Sequence, residues 1–304
     1  MKKVFTLGSI NVDYIVSADK LPQQGETVAA NHFDLLPGGK GANQAIACSK
    51  NGAETIFIGA VGDDYFGRKS IENLEKYRIN TDYIEAIEGE STGLANVLIT
   101  NKDNRILVVP GANARITYNS IDKALHIARA EDIFLAQFEV DQDILTYAFN
   151  EAKKKGLTTI LNPAPAKAID NSLYNFIDYL VINESECKFL SGIFPDSFKN
   201  ILLIQDYFKQ HGLDNIILTM GDKGSYLISG DVIKIGSFDV NVIDTTGAGD
   251  SFIGCFASCL TREISLVYSL VYASACGALT CRSLWAQGSI PSFDEVKIFS
   301  NCYK

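Results

Sequence analysis

The 304-residue chain is 47% hydrophobic and 21% charged, a balance that suits an ordinary globular protein with a sizeable core and needs no more than one domain. Its formal net charge of −9 speaks against a nucleic-acid partner, which would call for clustered Lys and Arg, and favours an uncharged metabolite. Seven cysteines with no Cys-x-x-Cys pair, and three isolated histidines, suggest neither a disulfide framework nor a zinc or His-rich metal site, and point to reduced thiols in a cytoplasmic protein.

The opening Met-Lys-Lys and the apolar residues 4–7 superficially suggest a signal peptide, but Asp13 interrupts the run and no small-residue cleavage site follows. Residues 4–7 are therefore expected as a first core strand. Gly8-Ser9-Ile10-Asn11-Val12-Asp13 comes directly after it. Ligands of doubly wound folds sit beyond the carboxyl ends of strands, so Asn11 and Asp13, two apart, are candidates for holding hydroxyls; an Asx-type turn is the alternative. Asp13 repels anions, which favours a neutral polyol over a sugar phosphate. Next, Pro37-Gly38-Gly39-Lys40-Gly41-Ala42-Asn43-Gln44-Ala45 leads into a helix over 42–50. It is neither a Walker A loop nor a dinucleotide fingerprint, yet its glycines permit close backbone approach, and Lys40 and Asn43 can reach polar groups there. Taken alone, such a cluster is equally a plain turn.

Strand 55–58 and helix 66–77 continue the alternation, and then residues 93–99 and 105–109 break it as two strands around a polar turn at 100–104. With 27–35 they are expected to form a small separate sheet that covers a site at the carboxyl edge of the main one. Helices 121–129, 144–155 and 201–211 alternate with strands 133–135, 158–161, 179–182 and 216–218, the pattern of a mainly parallel sheet covered by helices. Asn183-Glu184-Ser185-Glu186 opens a helix with oxygens that suit Mg²⁺ through waters, or serve only as a cap. Residues 264–281 carry no charge and approach the length of a membrane span, but four Ser or Thr residues and two tyrosines dilute them, so a buried helix is expected.

The strongest segment is Asp244-Thr245-Thr246-Gly247-Ala248-Gly249-Asp250, between a short apolar run and an apolar helix. The amides of Gly247, Ala248 and Gly249 at a helix start offer partial positive charge to a phosphate. Asp250 beside them is placed to take a proton from a hydroxyl attacking that phosphate, or it is a helix cap.

Together with Leu161-Asn162-Pro163-Ala164-Pro165-Ala166, these segments resemble, in order and over essentially the whole chain, the ribokinase family of carbohydrate kinases. The resemblance implies an α/β, ribokinase-like doubly wound sheet, mainly parallel, with helices on both faces and a small β-sheet lid. It implies a single domain, 1–304, with lid strands from about 12–36 and 92–110. Asp250 becomes the base and the Gly247–Gly249 amides the anion hole. Asn11, Asp13, Gly39, Lys40, Gly41, Asn43 and Glu139 would hold the sugar. Asn183, Thr219, Gly221, Asp222, Gly224, Gly249 and Ser274 would contact ATP, and Glu186 would serve Mg²⁺. Asp244, Thr246, Thr280, Ser283, Trp285 and Ser289 match a loop for K⁺ as activator, with Trp285 standing where the family has glycine. The implied reaction is transfer of the γ-phosphoryl group of ATP to a pentose, ribose first, with 2-deoxyribose, fructose or a nucleoside as alternatives. A non-catalytic sugar sensor of the same fold is the alternative from another class. A homodimer through the lid is expected, with neither nucleic acid nor membrane as partner.

Overall fold

The structure is a computed structural model that describes residues 2–100 and 104–302, so most of the turn expected at 100–104 lies outside the described residues. The chain begins with β1 (Lys3–Leu7), β2 (Asn11–Ser17), β3 (His32–Gly38), α1 (Lys40–Lys50), β4 (Glu54–Gly62), α2 (Tyr65–Lys76), β5 (Asn80–Ile87), β6 (Gly93–Ile99) and β7 (Asn104–Val109). A 3₁₀ turn (Gly111–Arg115) leads to α3 (Tyr118–His126), β8 (Ile133–Gln137), α4 (Gln142–Lys154), β9 (Thr158–Asn162), α5 (Asn171–Tyr174), β10 (Tyr179–Asn183), α6 (Glu184–Ser191) and α7 (Phe198–Gln210). The last third holds β11 (Asn215–Thr219), β12 (Ser225–Ser229), β13 (Asp231–Ile235), α8 (Ala248–Thr261), α9 (Leu266–Thr280), α10 (Ala286–Ser289) and α11 (Phe293–Asn301).

Successive residues of the core strands serve opposite cores, because side chains alternate across a sheet. Phe5, Leu7, Phe134, Ala136, Ile216 and Leu218 pack under α3, α4 and α7, whereas Val4, Ile133, Leu135 and Ile217 pack under α8, α9 and α11. Both faces being apolar, the strands read as continuous hydrophobic runs, as buried parallel strands do. The large sheet runs β13-β12-β11-β10-β9-β8-β1-β4-β5. From β11 to β5 all neighbours are parallel, and the hairpin β12–β13 continues the sheet antiparallel at one edge. The uncharged segment forms α9, 15 residues long and packed in the core, and no helix among the described residues is long and apolar enough to cross a membrane.

The second sheet has the order β3-β2-β6-β7 and rises from the carboxyl edge of the first, since β2 starts only a few residues after β1 ends. The strand anticipated at 27–35 lies at His32–Gly38, and β2 carries Asp13 inside the 12–36 span expected to supply lid strands, with Asn11 at its first position. Helices α3, α4 and α7 begin two or three residues before the expected positions, because Thr117, Asp141 and Ser197 cap them ahead of their first apolar residue.

Candidate active site

The parallel strands end together, and the polar residues at their ends converge. Asn162 closes β9, Asn183 closes β10 and Thr219 closes β11, while Glu139 follows β8 closely. Lys40, Asn162, Asn183, Glu186, Thr219, Gly247, Gly249 and Asp250 line one cavity of about 160 Å³. An adjoining cavity of about 630 Å³ is lined by Thr219, Gly221, Asp222, Gly224, Ala248, Gly249 and Ser274, with apolar walls from Phe238, Val242 and Phe252. Thr219 and Gly249 border both, so the helix start that carries the glycine turn stands at the junction.

That turn is built by Gly247, which caps α8 at φ 78° and ψ −1°, a left-handed conformation glycine adopts without strain. No side chain caps the helix, so the first turn points its amides and its positive dipole end at the junction. Ala248 departs from the expected trio, since its N–H donates to the Thr245 carbonyl at 3.2 Å. Asp250, in the same first turn, is 8% exposed. Its Oδ1 accepts from Gln44 Nε2 at 2.9 Å and its Oδ2 from Asn43 Nδ2 at 3.0 Å. It therefore does not cap its own helix. Burial pushes its pKa upward, and Lys40, Asn43 and Gln44 pull against that rise.

Lys40 lies at the start of α1 among the charges of Asp250, Glu139, Glu186 and Asp13; Asp250 foremost holds its pKa above the ordinary value, so it is an ammonium. The Asp13 carboxyl sits over Gly38, where any Cβ would lie 2.2 Å from it. Burial, then the charge of Glu139, pushes Asp13 up to about 6 against the pull of Lys40. Asn11 is buried, and its Oδ1 accepts from Asn113 Nδ2 at 2.8 Å, which leaves its own amide hydrogens for a ligand. Glu139 uses Oε2 to accept from Ser9 Oγ and from the Lys40 amide at 3.0 Å, tying the end of β1 to the start of α1. Gly39 joins β3 to α1 at φ 93°. Gly41, like Asn11, Asp13, Gly39, Asn43 and Glu139, lines neither cavity. A Cβ there would lie 2.6 Å from the Gly8–Ser9 backbone, so its role is to let α1 meet β1.

Asn183 and Glu186 form a reciprocal capping box, at 2.8 and 2.9 Å, so the capping alternative holds for them. Glu186 nevertheless lines the smaller cavity, and burial raises its pKa. A carboxylate in a polar cavity with room for several waters fits a hydrated Mg²⁺. Ser274 Oγ, on the wall of the larger cavity, is buried with no hydrogen-bond partner among the described residues, which suits the polar atom of a ligand.

Behind the glycine turn lies the loop from α9 to α10. Asp244 Oδ1 accepts from Thr246 N–H at 3.0 Å and Thr246 Oγ1 at 2.7 Å, and its Oδ2 accepts from Trp285 N–H at 3.2 Å. Trp285 takes φ 74° and ψ 139°, so it follows the path a glycine would, at a cost in strain of about 1–3 kcal/mol. The hydroxyls of Thr280 and Ser289 donate to the carbonyls of Cys276 and Ala286 at 2.9 and 3.0 Å. Asp244 thus gathers Thr246 and Trp285, while Thr280 and Ser289 spend their hydroxyls within their own helices and Ser283 donates its N–H to the Thr280 carbonyl at 3.4 Å, so the Asp244 carboxylate is the group here whose chemistry suits a hard monovalent cation.

Sequence reasoning passed over Gln44, Asn113, Gln137 and Gln287. Gln44 Oε1 accepts from Gln137 Nε2 at 2.6 Å, and Gln287 Nε2 donates to Asn43 Oδ1 at 3.0 Å. Amides carry no charge and no short-range signature, so the only signal available was a run of buried-looking Gln and Asn beside named motifs.

A family model for pfkB family carbohydrate kinases matches residues 1–292. A ribokinase of Staphylococcus aureus (strain COL) is 37% identical over 298 residues, covering 97% of this chain and 98% of the relative. A deoxyribokinase of Salmonella typhi is 35% identical over 295 residues, covering 96% of each. Among solved structures, Arabidopsis thaliana ribokinase complexed with ribose and ATP superposes with a TM-score of 0.92 at 30% identity and 98% coverage of both chains.

Proposed function

We propose, from the premise that the chain belongs to the pfkB family of carbohydrate kinases, that it transfers the γ-phosphoryl group of ATP to the 5-hydroxyl of D-ribose. The observation that carries the reaction type is Asp250, a buried carboxylate held by two amide donors on the wall of the smaller cavity, next to Gly249, which borders both cavities. Asp250 takes the proton of the attacking hydroxyl, while the uncapped start of α8 meets the charge that develops on the transferred group. Lys40 stands between the carboxylates and offsets their repulsion of the nucleotide phosphates. The larger cavity suits a nucleotide: apolar walls for the base, and Ser274 Oγ in need of a partner. Mg²⁺, held near Glu186 through waters, would supply charge neutralisation on the phosphates, and K⁺ at the Asp244 loop would act as an activator by fixing the turn that follows.

Ribose is favoured over 2-deoxyribose by the pairing of Asn11 and Asp13. A buried donor next to a half-buried acceptor suits two neighbouring hydroxyls, and a sugar lacking one leaves a polar group unpaired. Turnover on a panel of unphosphorylated sugars tests this, with kcat/KM for ribose expected about tenfold to a hundredfold above 2-deoxyribose. The 35% identity to a deoxyribokinase keeps the deoxy sugar as the second reading, and a reversed ratio would establish it. For the chemistry, Asp250→Asn is expected to lower kcat by about 10²–10⁴-fold, and near-normal turnover would remove Asp250 from the role of base.

A further inference from the structure

Both oxygens of Asp250 meet side-chain amides, and an amide has two chemically opposite ends of nearly equal shape. Turned one way it donates to a carboxylate. Turned by half a revolution it presents a carbonyl, which only a protonated carboxyl can satisfy. What sets the orientation of each amide is therefore part of the site. Gln44 is fixed twice, since its Oε1 accepts from Gln137 Nε2 at 2.6 Å and its Nε2 also donates to Asn162 Oδ1 at 3.2 Å. Asn162 is itself anchored by donating to the Val181 carbonyl at 3.0 Å. Asn43 has one such constraint, the donation from Gln287 Nε2 to its Oδ1 at 3.0 Å. Gln287 is oriented in turn by Asn73 Nδ2, which donates to Gln287 Oε1 at 2.8 Å.

We propose that Gln287 is a positioning residue that, by capturing the carbonyl end of Asn43, keeps the amino end of Asn43 on Asp250 and so holds the base as a proton acceptor. The relay runs Asn73, Gln287, Asn43, Asp250, every link a donor facing an acceptor, from α2 through α10 and α1 to α8. Gln287 and Asn43 are 5% and 7% exposed, so water has little access to replace a lost link. The charged groups facing Asp250 are Lys40, which favours its ionised form, and Glu139, Glu186 and Asp13, which oppose it. Burial opposes it most. Against that opposition, one amide turned the wrong way matters. The relay also gives the loop that contains Trp285 a direct line to the reacting centre, since Gln287 is its second residue after the tryptophan.

The inference rests on Asp250 as the base, and the test separates the two. The dependence of kcat on pH is measured for the intact protein with the best sugar of the panel, in the native chain, Gln287→Met and Asn73→Leu. Met fills similar space and offers no donor. The acid limb is expected to move up by about one pH unit in Gln287→Met, through loss of one hydrogen bond to the charged form, and by less in Asn73→Leu. Raising the pH should bring kcat of Gln287→Met back to within about twofold of native, with KM for ATP unchanged, because the base is intact and only its protonation has moved. A kcat deficit that is the same at every pH, or an unmoved limb, overturns the proposal. Should Gln287→Met fail to fold, the half-buried Asn73→Leu decides alone, an unmoved limb again counting against it. An inactive Asp250→Asn alongside an unmoved limb sinks the Gln287 inference and leaves the base in place, whereas an active Asp250→Asn sinks both.

Discussion

Asp13 and Asp250 are two carboxylates with raised pKa that differ in their neighbours: Asp250 is buried and accepts from two amides, while Asp13, half-buried and pushed up to about 6, titrates close to neutrality. Protonated Asp13 no longer offers a full carboxylate to a sugar diol. KM for the sugar should therefore rise as pH falls through about 6 and approach a tenfold increase per unit below it, measured by steady-state kinetics at saturating ATP. Trp285 supplies a second residue-scale test. At φ 74° an L side chain is strained and glycine is not, so Trp285→Gly should be more stable than Trp285→Ala by about 1 kcal/mol in urea unfolding, both variants having lost the same ring. Equal stabilities would mean that the loop relaxes once the indole is gone.

Helix α2 shows how one element serves both the body and the lid. Its cap, Asp64, accepts from Gly67 N–H at 2.7 Å and also from Thr92 N–H and Oγ1 at 2.8 and 2.7 Å, just before lid strand β6. Asp64→Ala should cost about 1–2 kcal/mol of stability through the lost cap. It should also raise KM for the sugar, because the lid loses its tether; a calorimetric melt and sugar kinetics check the two parts. Elements were legible from sequence where apolar periodicity was strong: β1, β4, β8 to β11 and the helices α1, α2, α3, α4 and α7, whereas the single turn α5 was not. The hairpin β12–β13 and strand β5 were not, because their burial is uneven and their partners lie across the sheet edge. The same division holds in the site. Asp250, Lys40 and the glycine turn stand out by residue type, whereas Asn113 reaches Asn11 from 102 positions away and Gln287 reaches Asn43 from 244 away. Such contacts exist only once the chain has folded.

The whole molecule carries a net charge of −9 and keeps three site carboxylates, Asp13, Glu186 and Asp250, above their ordinary pKa. A group whose folded pKa is raised binds protons more readily in the folded state, so stability increases as pH falls toward and through about 6, the value Asp13 reaches. The melting temperature of the ligand-free protein should therefore be higher at pH 6 than at pH 8. Below the ordinary carboxylate range the gain ends, since Asp64, Glu72 and Glu295 have lowered values and lose their stabilising bonds there. The lid leaves apolar surface in solvent, with Ile106 and Leu107 at 55% and 64% exposure and Phe33 and Leu35 beside the same sheet. A second copy covering that sheet would hide it, so sedimentation should show a dimer for the native chain and a monomer for Leu107→Glu. The strained residue of the α9–α10 loop has one further use. Trp285 is the sole tryptophan of the sequence, so the tryptophan emission of the unlabelled protein comes from a single indole, on the residue whose backbone N–H donates to Asp244 and whose neighbour Ala286 packs on Gly247. Titrations with nucleotide or with alkali chlorides can be followed by that light alone, at a residue held in a strained backbone conformation.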